Sequence, residues 1–321
     1  MRRHLLAALA VLAFAAMPAR AQEFPGREVR LICPFSPGGT CDLLTRMLAE
    51  YLQPIFGVPV VVENRTGASG MIGADLVAKS PPDGHAAVLA TMGIMTILPE
   101  MPGVRMPFDP DRDLTPITNV VNVYNILVAA PNAPFDTVSG LIEYARANPG
   151  RLSYASAGNG SSQHLAGELF KRLAGVDLLH VPYRGGAPAI IDIVAGRTTM
   201  MFGNLPEFMG QIRGGGLRPI AYGAPRQSPL LPDLPLIRDT LPEFAIRNWF
   251  GLAAAPNLPR PVRDRWVEAM RRVDANPDFR RRLAENGMES LIEGPEAFRA
   301  IIAEDRRRWG EVIRAAGIRA D

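Results

Sequence analysis

Residues 29–57 constrain the fold most, because an apolar segment, a proline- and glycine-rich loop and an amphipathic segment follow one another directly. Val29–Ile32 is short and rich in β-branched and aliphatic residues, which is typical of a buried strand. The loop at 34–39 cannot continue regular structure. Apolar residues then recur three and four positions apart, which predicts a helix with Thr40 as its N-cap and an end at Gly57. A helix that begins after a strand and a glycine loop offers free backbone N–H groups to an anion.

The same plan recurs at residues 152–175. A short strand is followed by the glycine- and serine-rich loop Ser156–Ser162 and by a second amphipathic segment that Gly175 terminates. Hydrogen bonds to a charged group contribute about 1.5–3 kcal/mol each. Several of them supply the roughly 8 kcal/mol that micromolar affinity requires. The sequence therefore predicts two loops that bind one carboxylate, while Asp42 either caps its helix or selects an amino or hydroxyl group of the ligand.

Length and charge limit the classes of protein that this chain could belong to. A chain of 321 residues is longer than a single hydrophobic core usually supports, so we expect two domains. The net charge of +3 is small. Arg280–Arg282 and Arg306–Arg308 could suggest nucleic acid, but no aromatic residues are interleaved, so we interpret them as solvated helix faces. We expect a monomer without a nucleic-acid partner.

The N-terminus predicts export. Arg2 and Arg3 precede the apolar run Leu5–Met17, and Ala19-Arg20-Ala21 provides small residues for cleavage after Ala21. The run is shorter than the about 20 residues that span a bilayer. We therefore predict a signal peptide at 1–21 and a periplasmic mature protein.

Predicted strands and helices alternate over the rest of the chain, which indicates an α/β fold with parallel sheets and right-handed crossovers. Two extended segments, 117–130 and 248–255, are too long for one small domain and are natural crossovers between two. We predict a discontinuous domain 1 at 22–121 plus 250–321, and an inserted domain 2 at 122–249. Hinges are expected at about 118–125 and 246–252.

Enzymatic alternatives have weaker support. A dinucleotide interpretation of 64–73 fails because its glycines lie three residues apart without the close pair of a pyrophosphate loop. No nucleophile-elbow pattern surrounds Ser161 and Ser162, and helix capping explains these serines. His164 and Glu168 lack a third metal ligand. We expect no catalytic residue, metal site or cofactor, although a secreted hydrolase stays an alternative hypothesis.

The two cysteines flank the first loop and leave two interpretations. Cys33 and Cys41 would form a disulfide if a strand end and a helix start bring their Cα atoms within about 7 Å. Otherwise Cys33 is a packed core residue and Cys41 lines the cleft.

Several long motifs resemble those of the Bug family, the periplasmic binding proteins of tripartite tricarboxylate transporters. The matching segments span the mature chain in order: Phe35–Asp42, Glu63–Gly73, Pro82–Gly84, Ser156–Glu168, His180–Gly186 and Trp249–Leu252. The resemblance implies a type II periplasmic-binding-protein fold, in which two α/β domains joined by two crossover strands close around a small carboxylate. Many relatives carry Asp-Asn where this chain has Gly203-Asn204, and Cys41 occupies a variable loop position. Both departures concern the distal end of the ligand.

The loops and the resemblance together give the expected ligand-binding residues. They are Phe35, Pro37, Gly38, Gly39, Thr40, Asp42, Thr91, Ser156, Asn159, Gly160, Ser161, Ser162, Tyr183, Arg184 and Asn204. The resemblance also implies membrane permease subunits as the partner that receives the carboxylate. A receptor that presents its ligand to a sensor kinase is the alternative within the same fold.

Overall fold

The computed structural model describes residues 24–319. The predicted signal peptide therefore lies outside the described residues. The strands are β1 (Val29–Cys33), β2 (Val60–Asn64), β3 (Ala86–Thr91), β4 (Thr115–Ala129), β5 (Ser153–Ser156), β6 (Leu179–Pro182), β7 (Met200–Asn204), β8 (Arg218–Tyr222), β9 (Arg247–Ala254) and β10 (Met288–Ser290). The helices are α1 (Thr40–Phe56), α2 (Met71–Ala78), α3 (Val138–Ala147), α4 (Ser162–Ala174), α5 (Gly186–Val194), α6 (Leu205–Arg213), α7 (Arg260–Asp274), α8 (Pro277–Glu285) and α9 (Pro295–Ala316).

Strand β4 joins two halves of one mixed sheet. Its residues 115–124 pair with β9, and its residues 125–129 pair with β7 and β8. We call β1–β3, β9, β10 and the start of β4 the first half, and β5–β8 with the end of β4 the second half. The chain therefore crosses between the halves near Tyr124 and Asn125, and returns before β9.

The predicted α/β fold is confirmed, with one correction to the strand pairing. Strands β1, β2 and β3 are parallel to one another, as are β5, β6 and β7. The strand predicted at Leu217–Tyr222 does not extend a parallel sheet, because β8 pairs antiparallel with β4. Strand β4 enters this half from the other one, lies between β7 and β8, and is antiparallel to both.

Helix α9 ties the two halves together. It packs on β4, on the π-helical turn Gly93–Ile97 and on α4. Trp249 of β9 donates from Nε1 to Asp305 of α9 at 2.6 Å. The ring of Phe298 lies against Gly251, where a Cβ atom would come within 2.2 Å of it. Within residues 24–319 no helix is both long and apolar enough to cross a bilayer.

Candidate functional site

The two predicted loops face each other across a groove between the halves, which we call the cleft. Ser36 donates its hydroxyl to the backbone carbonyl of Arg184 at 2.9 Å. A Cβ atom at Gly185, where φ is +147°, would lie 3.1 Å from the backbone nitrogen of Ser36. The halves are therefore in direct contact here, and a glycine at 185 permits the approach.

The N-terminus of α1 opens into the cleft, but its cap differs from the prediction. Gly39, with extended backbone, is the N-cap, and Thr40 is the first helical residue. The prediction of Thr40 as N-cap is wrong by one residue, since glycine also fits this position without a side-chain bond. The Thr40 hydroxyl consequently has no hydrogen-bond partner although the residue is only 2% exposed. A buried hydroxyl of this kind needs a hydrogen-bond partner, which a water molecule or a ligand can supply.

A small cavity of about 40 Å³ lies at this point. That volume holds roughly three water molecules or one small polar group. Seven of the predicted residues line it: Phe35, Gly39, Thr40, Thr91, Ser161, Ser162 and Asn204. Five of them belong to the two loops, while Thr91 and Asn204 lie at the ends of β3 and β7, so residues of both loops meet at this cavity.

A wider opening of about 610 Å³ adjoins the cavity. The two share Phe35, Ser69 and Ala157 as lining residues. Three more predicted residues line the opening: Asn159, Tyr183 and Arg184. The Tyr183 hydroxyl donates to Asp192 at 2.7 Å, whereas Arg184 is exposed.

The remaining five predicted residues line neither space and shape the loops instead; they are Pro37, Gly38, Asp42, Ser156 and Gly160. Asp42 accepts hydrogen bonds from Gly38 N at 3.0 Å and from Asn64 at 2.9 Å. Burial opposes ionisation of this carboxyl, but the hydrogen bonds from Arg46, Gly38 and Asn64 outweigh it, and the pKa of Asp42 is lowered. Asp42 therefore holds the first loop in place.

Ser156 and Gly160 organise the second loop. Ser156 Oγ lies 2.7 Å from His180 Nε2 and accepts from Gly158 N at 3.1 Å. Gly160 has a φ of +77° and donates from its backbone N to His164 Nδ1 at 3.2 Å. As predicted, Ser161 is a capping residue: its hydroxyl accepts from His164 N at 3.2 Å.

Glu207 is the most consequential cavity residue that the sequence analysis missed. It lines the cavity and accepts from Asn204 N at 2.7 Å, as part of a capping box that begins α6. Burial raises the pKa of Glu207 to about 7, although hydrogen bonds from Asn204, Gln163 and Thr40 favour its charged form. The Asn-x-x-Glu pattern at 204–207 predicts the capping box. It does not reveal that this helix start faces the other half.

Two further contacts across the cleft were not predicted. Asn248 of β9 donates to the side-chain oxygen of Asn204 at 2.7 Å, and both residues line the cavity. Gly93, after β3, lies so close to the second loop that a Cβ atom there would be 2.9 Å from Gly160 O.

The structure has Cys33 and Cys41 as free thiols, with Cys33 packed in the core and Cys41 lining the cavity, as the second interpretation of the sequence expects. Cys33 donates to Cys41 with 3.0 Å between the sulfur atoms, and both residues are buried. Burial, together with the neighbouring Cys33, raises the pKa of the Cys41 thiol. Among residues 24–319 no group of three histidine, cysteine or acidic side chains is placed to hold a metal ion.

Comparisons with known proteins agree with this architecture. The model of the family described as "Tripartite tricarboxylate transporter family receptor" matches residues 44–318. Protein BugT of Bordetella pertussis is 33% identical over 94% of this chain and 93% of its own length. A structure of Rpa4515 from R. palustris with adipate is 33% identical, with a TM-score of 0.90 over 93% of this chain and all of that one. A structure of MatC from Rhodopseudomonas palustris with bound malate is 28% identical, with a TM-score of 0.86 over 90% of this chain and all of that one.

These matches confirm both the resemblance to Bug proteins and the two-part binding-protein fold. The matched segment contains the second cleft loop and begins just after the first, which ends at Asp42. The chain belongs to the receptor family of the tripartite tricarboxylate transporters, whose members are periplasmic solute-binding proteins.

Proposed function

We propose that this protein captures a small organic carboxylate in the cleft and delivers it to the permease subunits of a tripartite transporter. The observation that carries the proposal is the buried, unpartnered hydroxyl of Thr40 at the N-terminus of α1, in a cavity that the second loop closes. Helix N-termini and hydroxyl groups favour a carboxylate without a cation. The adipate and malate complexes of the two structural relatives support this class of ligand.

The sizes of the two spaces suggest how a ligand would lie. One carboxylate group matches the cavity of about 40 Å³, and the rest of the molecule would extend into the opening of about 610 Å³. The residues at the opening would then distinguish one acid from another. Arg184, exposed at its edge, would meet a second negative group of the ligand.

The proposed mechanism is closure about two hinges. Domain 1 would comprise 22–121 and 250–321, domain 2 would comprise 122–249, and the hinges would lie at about 118–125 and 246–252. A ligand that contacts both loops favours the closed arrangement, because only that arrangement provides all of its hydrogen bonds. We further propose that the protein acts as a monomer after cleavage behind Ala21.

A hydrolase is less well supported than a receptor. Ser156 Oγ lies 2.7 Å from His180 Nε2, a pairing that resembles a nucleophile and its base. Ser156 is fully buried and does not line the cavity, so a substrate in the cleft would not reach its hydroxyl. The family, moreover, consists of receptors.

A thermal-shift screen of the mature chain, residues 22–321, tests the proposal. The panel contains malate, adipate and other mono-, di- and tricarboxylates, with uncharged diols of equal length as controls. Ligand at a hundredfold excess over Kd stabilises the folded state by about 2.7 kcal/mol. We expect a clear rise in Tm with a few related acids and none with the diols. Folded, ligand-free protein that responds to no carboxylate would contradict the proposal.

A further inference from the structure

The carboxyl group of Glu207 lies where the N-termini of several helices converge on the cleft. Its Oε1 accepts from Asn204 N at the start of its own helix α6. The backbone of Thr40 in α1 and the side chain of Gln163 in α4 also interact with this carboxyl. A Cβ atom at Gly186, the first residue of α5, would come within 2.2 Å of Oε2. One acidic group therefore touches four helix starts from both halves of the molecule.

Among residues 24–319, the groups that affect the pKa of this carboxyl include no cation. One acidic residue, one histidine and one arginine lie within two positions of Thr40, Gln163 and Gly186, the neighbours of Glu207 on other helices: Asp42, His164 and Arg184. Asp42 points toward Gly38 N and Arg46, and His164 accepts from Gly160 N and stacks on His180 at 4.3 Å. Arg184 is exposed at the opening. None of these three contributes to the pKa of Glu207, which burial raises to about 7 against three neutral hydrogen-bond partners.

A ligand carboxylate in the same cavity would add a second negative charge close to Glu207. Thr40, Glu207 and Asn204 line one space of about 40 Å³, so a group bonded to Thr40 lies beside Glu207. Two carboxylates that share so small a cavity repel each other, which raises the pKa of one of them so that it holds a proton. The Glu207 carboxyl is the one whose surroundings already favour the neutral form.

We propose that Glu207 is a specificity-determining residue that binds the ligand carboxylate as a neutral acid, donating its O–H to it, so that each protein molecule in which Glu207 is ionised takes up one proton as the ligand binds. This inference rests on the proposed function, because it presupposes a carboxylate in the cleft. The proton comes from solvent, moves onto Glu207 and stays on the Glu207 oxygen in the complex. A site of this kind prefers an ionised carboxylate to an amine or ammonium group at the same place.

The expected consequence is a fall in affinity as pH rises. The binding-competent, protonated fraction of free Glu207 is about nine-tenths at pH 6 and about one-tenth at pH 8 if its pKa is about 7. Affinity for a carboxylate that is ionised throughout this range therefore drops about tenfold between pH 6 and pH 8. Proton uptake rises from about zero to about one per ligand over the same interval.

Titration calorimetry with malate and with adipate tests this at pH 6 and pH 8, in pairs of buffers that differ in ionisation enthalpy. The proteins are the mature wild type, Glu207→Gln and the control Glu296→Gln. Glu296 is likewise in the first turn of a helix, but its side chain is exposed and does not line the cavity. Proton uptake is read from the wild type alone, so the test does not depend on the folding of a variant.

We expect wild type and Glu296→Gln to bind about tenfold more weakly at pH 8 than at pH 6, with near-complete proton uptake at pH 8. Glu207→Gln, which keeps a donor but cannot ionise, should bind equally at both pH values and without proton uptake. Wild-type binding that is independent of pH, or that tightens as pH rises, would overturn the inference and leave the proposed function intact. Absence of binding to any carboxylate at both pH values would remove the proposed function, and this inference with it.

Discussion

At the scale of single residues, the hydroxyl of Thr40 is the group that most needs a ligand. Thr40→Val keeps the shape and removes only the unpartnered oxygen, so the folded protein should lose no stability. The complex loses one hydrogen bond to a charged group, which is worth about 1.5–3 kcal/mol, and affinity for the carboxylate should fall about 10- to 100-fold. Titration calorimetry of wild type and Thr40→Val measures the two carboxylate affinities.

Thr45→Val is the matched control, because it makes the same change on the same helix. The Thr45 hydroxyl donates to Cys41 O at 2.7 Å and lies outside the cavity. We expect Thr45→Val to alter Tm but not carboxylate affinity. Equal affinity of Thr40→Val and wild type would show that the ligand does not bind at this helix start.

Glu207 should make the protein less stable as pH rises. Its pKa is about 7 in the folded chain and 4.5 for an ordinary glutamate, so the folded state holds the proton more tightly than the unfolded state. The resulting stability is fully present below pH 4.5 and is lost as pH rises through 7, by up to about 3 kcal/mol. Glu207→Gln should therefore gain stability relative to wild type between pH 4.5 and pH 8.

Urea unfolding of both proteins at pH 4.5, 6 and 8 without ligand measures this difference. A constant difference in the free energy of unfolding between Glu207→Gln and wild type over that range would contradict the raised pKa. The experiment uses the difference between two proteins, because other carboxyl groups titrate equally in both.

The cysteine thiols should be unreactive in the folded protein. Cys33 and Cys41 are buried, and the pKa of Cys41 is raised, so little thiolate is present or accessible at neutral pH. We expect no reaction with a chromogenic thiol reagent before unfolding and two thiols per chain after unfolding in guanidinium. Purified protein that releases no thiol on unfolding would contain a disulfide instead.

At the scale of secondary structure elements, local patterns predicted the strands, glycine loops and helix starts well. The apolar periodicity and Gly57 located α1 closely, and Ser161 caps α4 as expected. Local patterns did not give the pairing partner of β8, because β4 reaches it from the other half of the molecule. They also missed Glu207, whose environment is made by helix starts that are distant in sequence.

Close backbone approach between elements is a second property that one-dimensional patterns do not show. At Gly93 a Cβ atom would lie 2.9 Å from Gly160 O, across the cleft. Gly93→Ala should therefore hinder closure while leaving each half folded, and we expect carboxylate affinity to fall about tenfold or more with a small change in the Tm of the ligand-free protein. Thermal shift and calorimetry measure the two quantities.

Gly210→Ala is the control for this change. Gly210 lies inside α6, and apart from its chain neighbours and the backbone of its own helix, no atom lies within 4 Å of its added Cβ atom. Alanine should stabilise this helix by about 0.5–1 kcal/mol and leave affinity unchanged. If Gly93→Ala binds as tightly as Gly210→Ala, the contact at 93 does not form part of the ligand-bound state.

At the scale of the whole molecule, strand β4 and the return into β9 are the connections that would bend on closure. Register shifts interrupt the pairing of β4 with β9 between Pro116 and Thr118 and between Asn119 and Val121. Such irregularities locally disrupt a ladder and let strands bend. Helix α9 spans the junction and is bonded to β9 through Trp249 and Asp305, so it is expected to limit the direction of the motion.

Small-angle X-ray scattering of the mature chain, titrated with a carboxylate that raises its Tm, tests most directly whether ligand is captured between two halves. We predict that the radius of gyration decreases over the same range of ligand concentration in which heat is released in calorimetry, because the bound acid bridges both loops. Gly93→Ala should show a smaller decrease at equal saturation. A carboxylate that saturates the wild-type protein without any change in the radius of gyration would contradict capture by closure of the cleft.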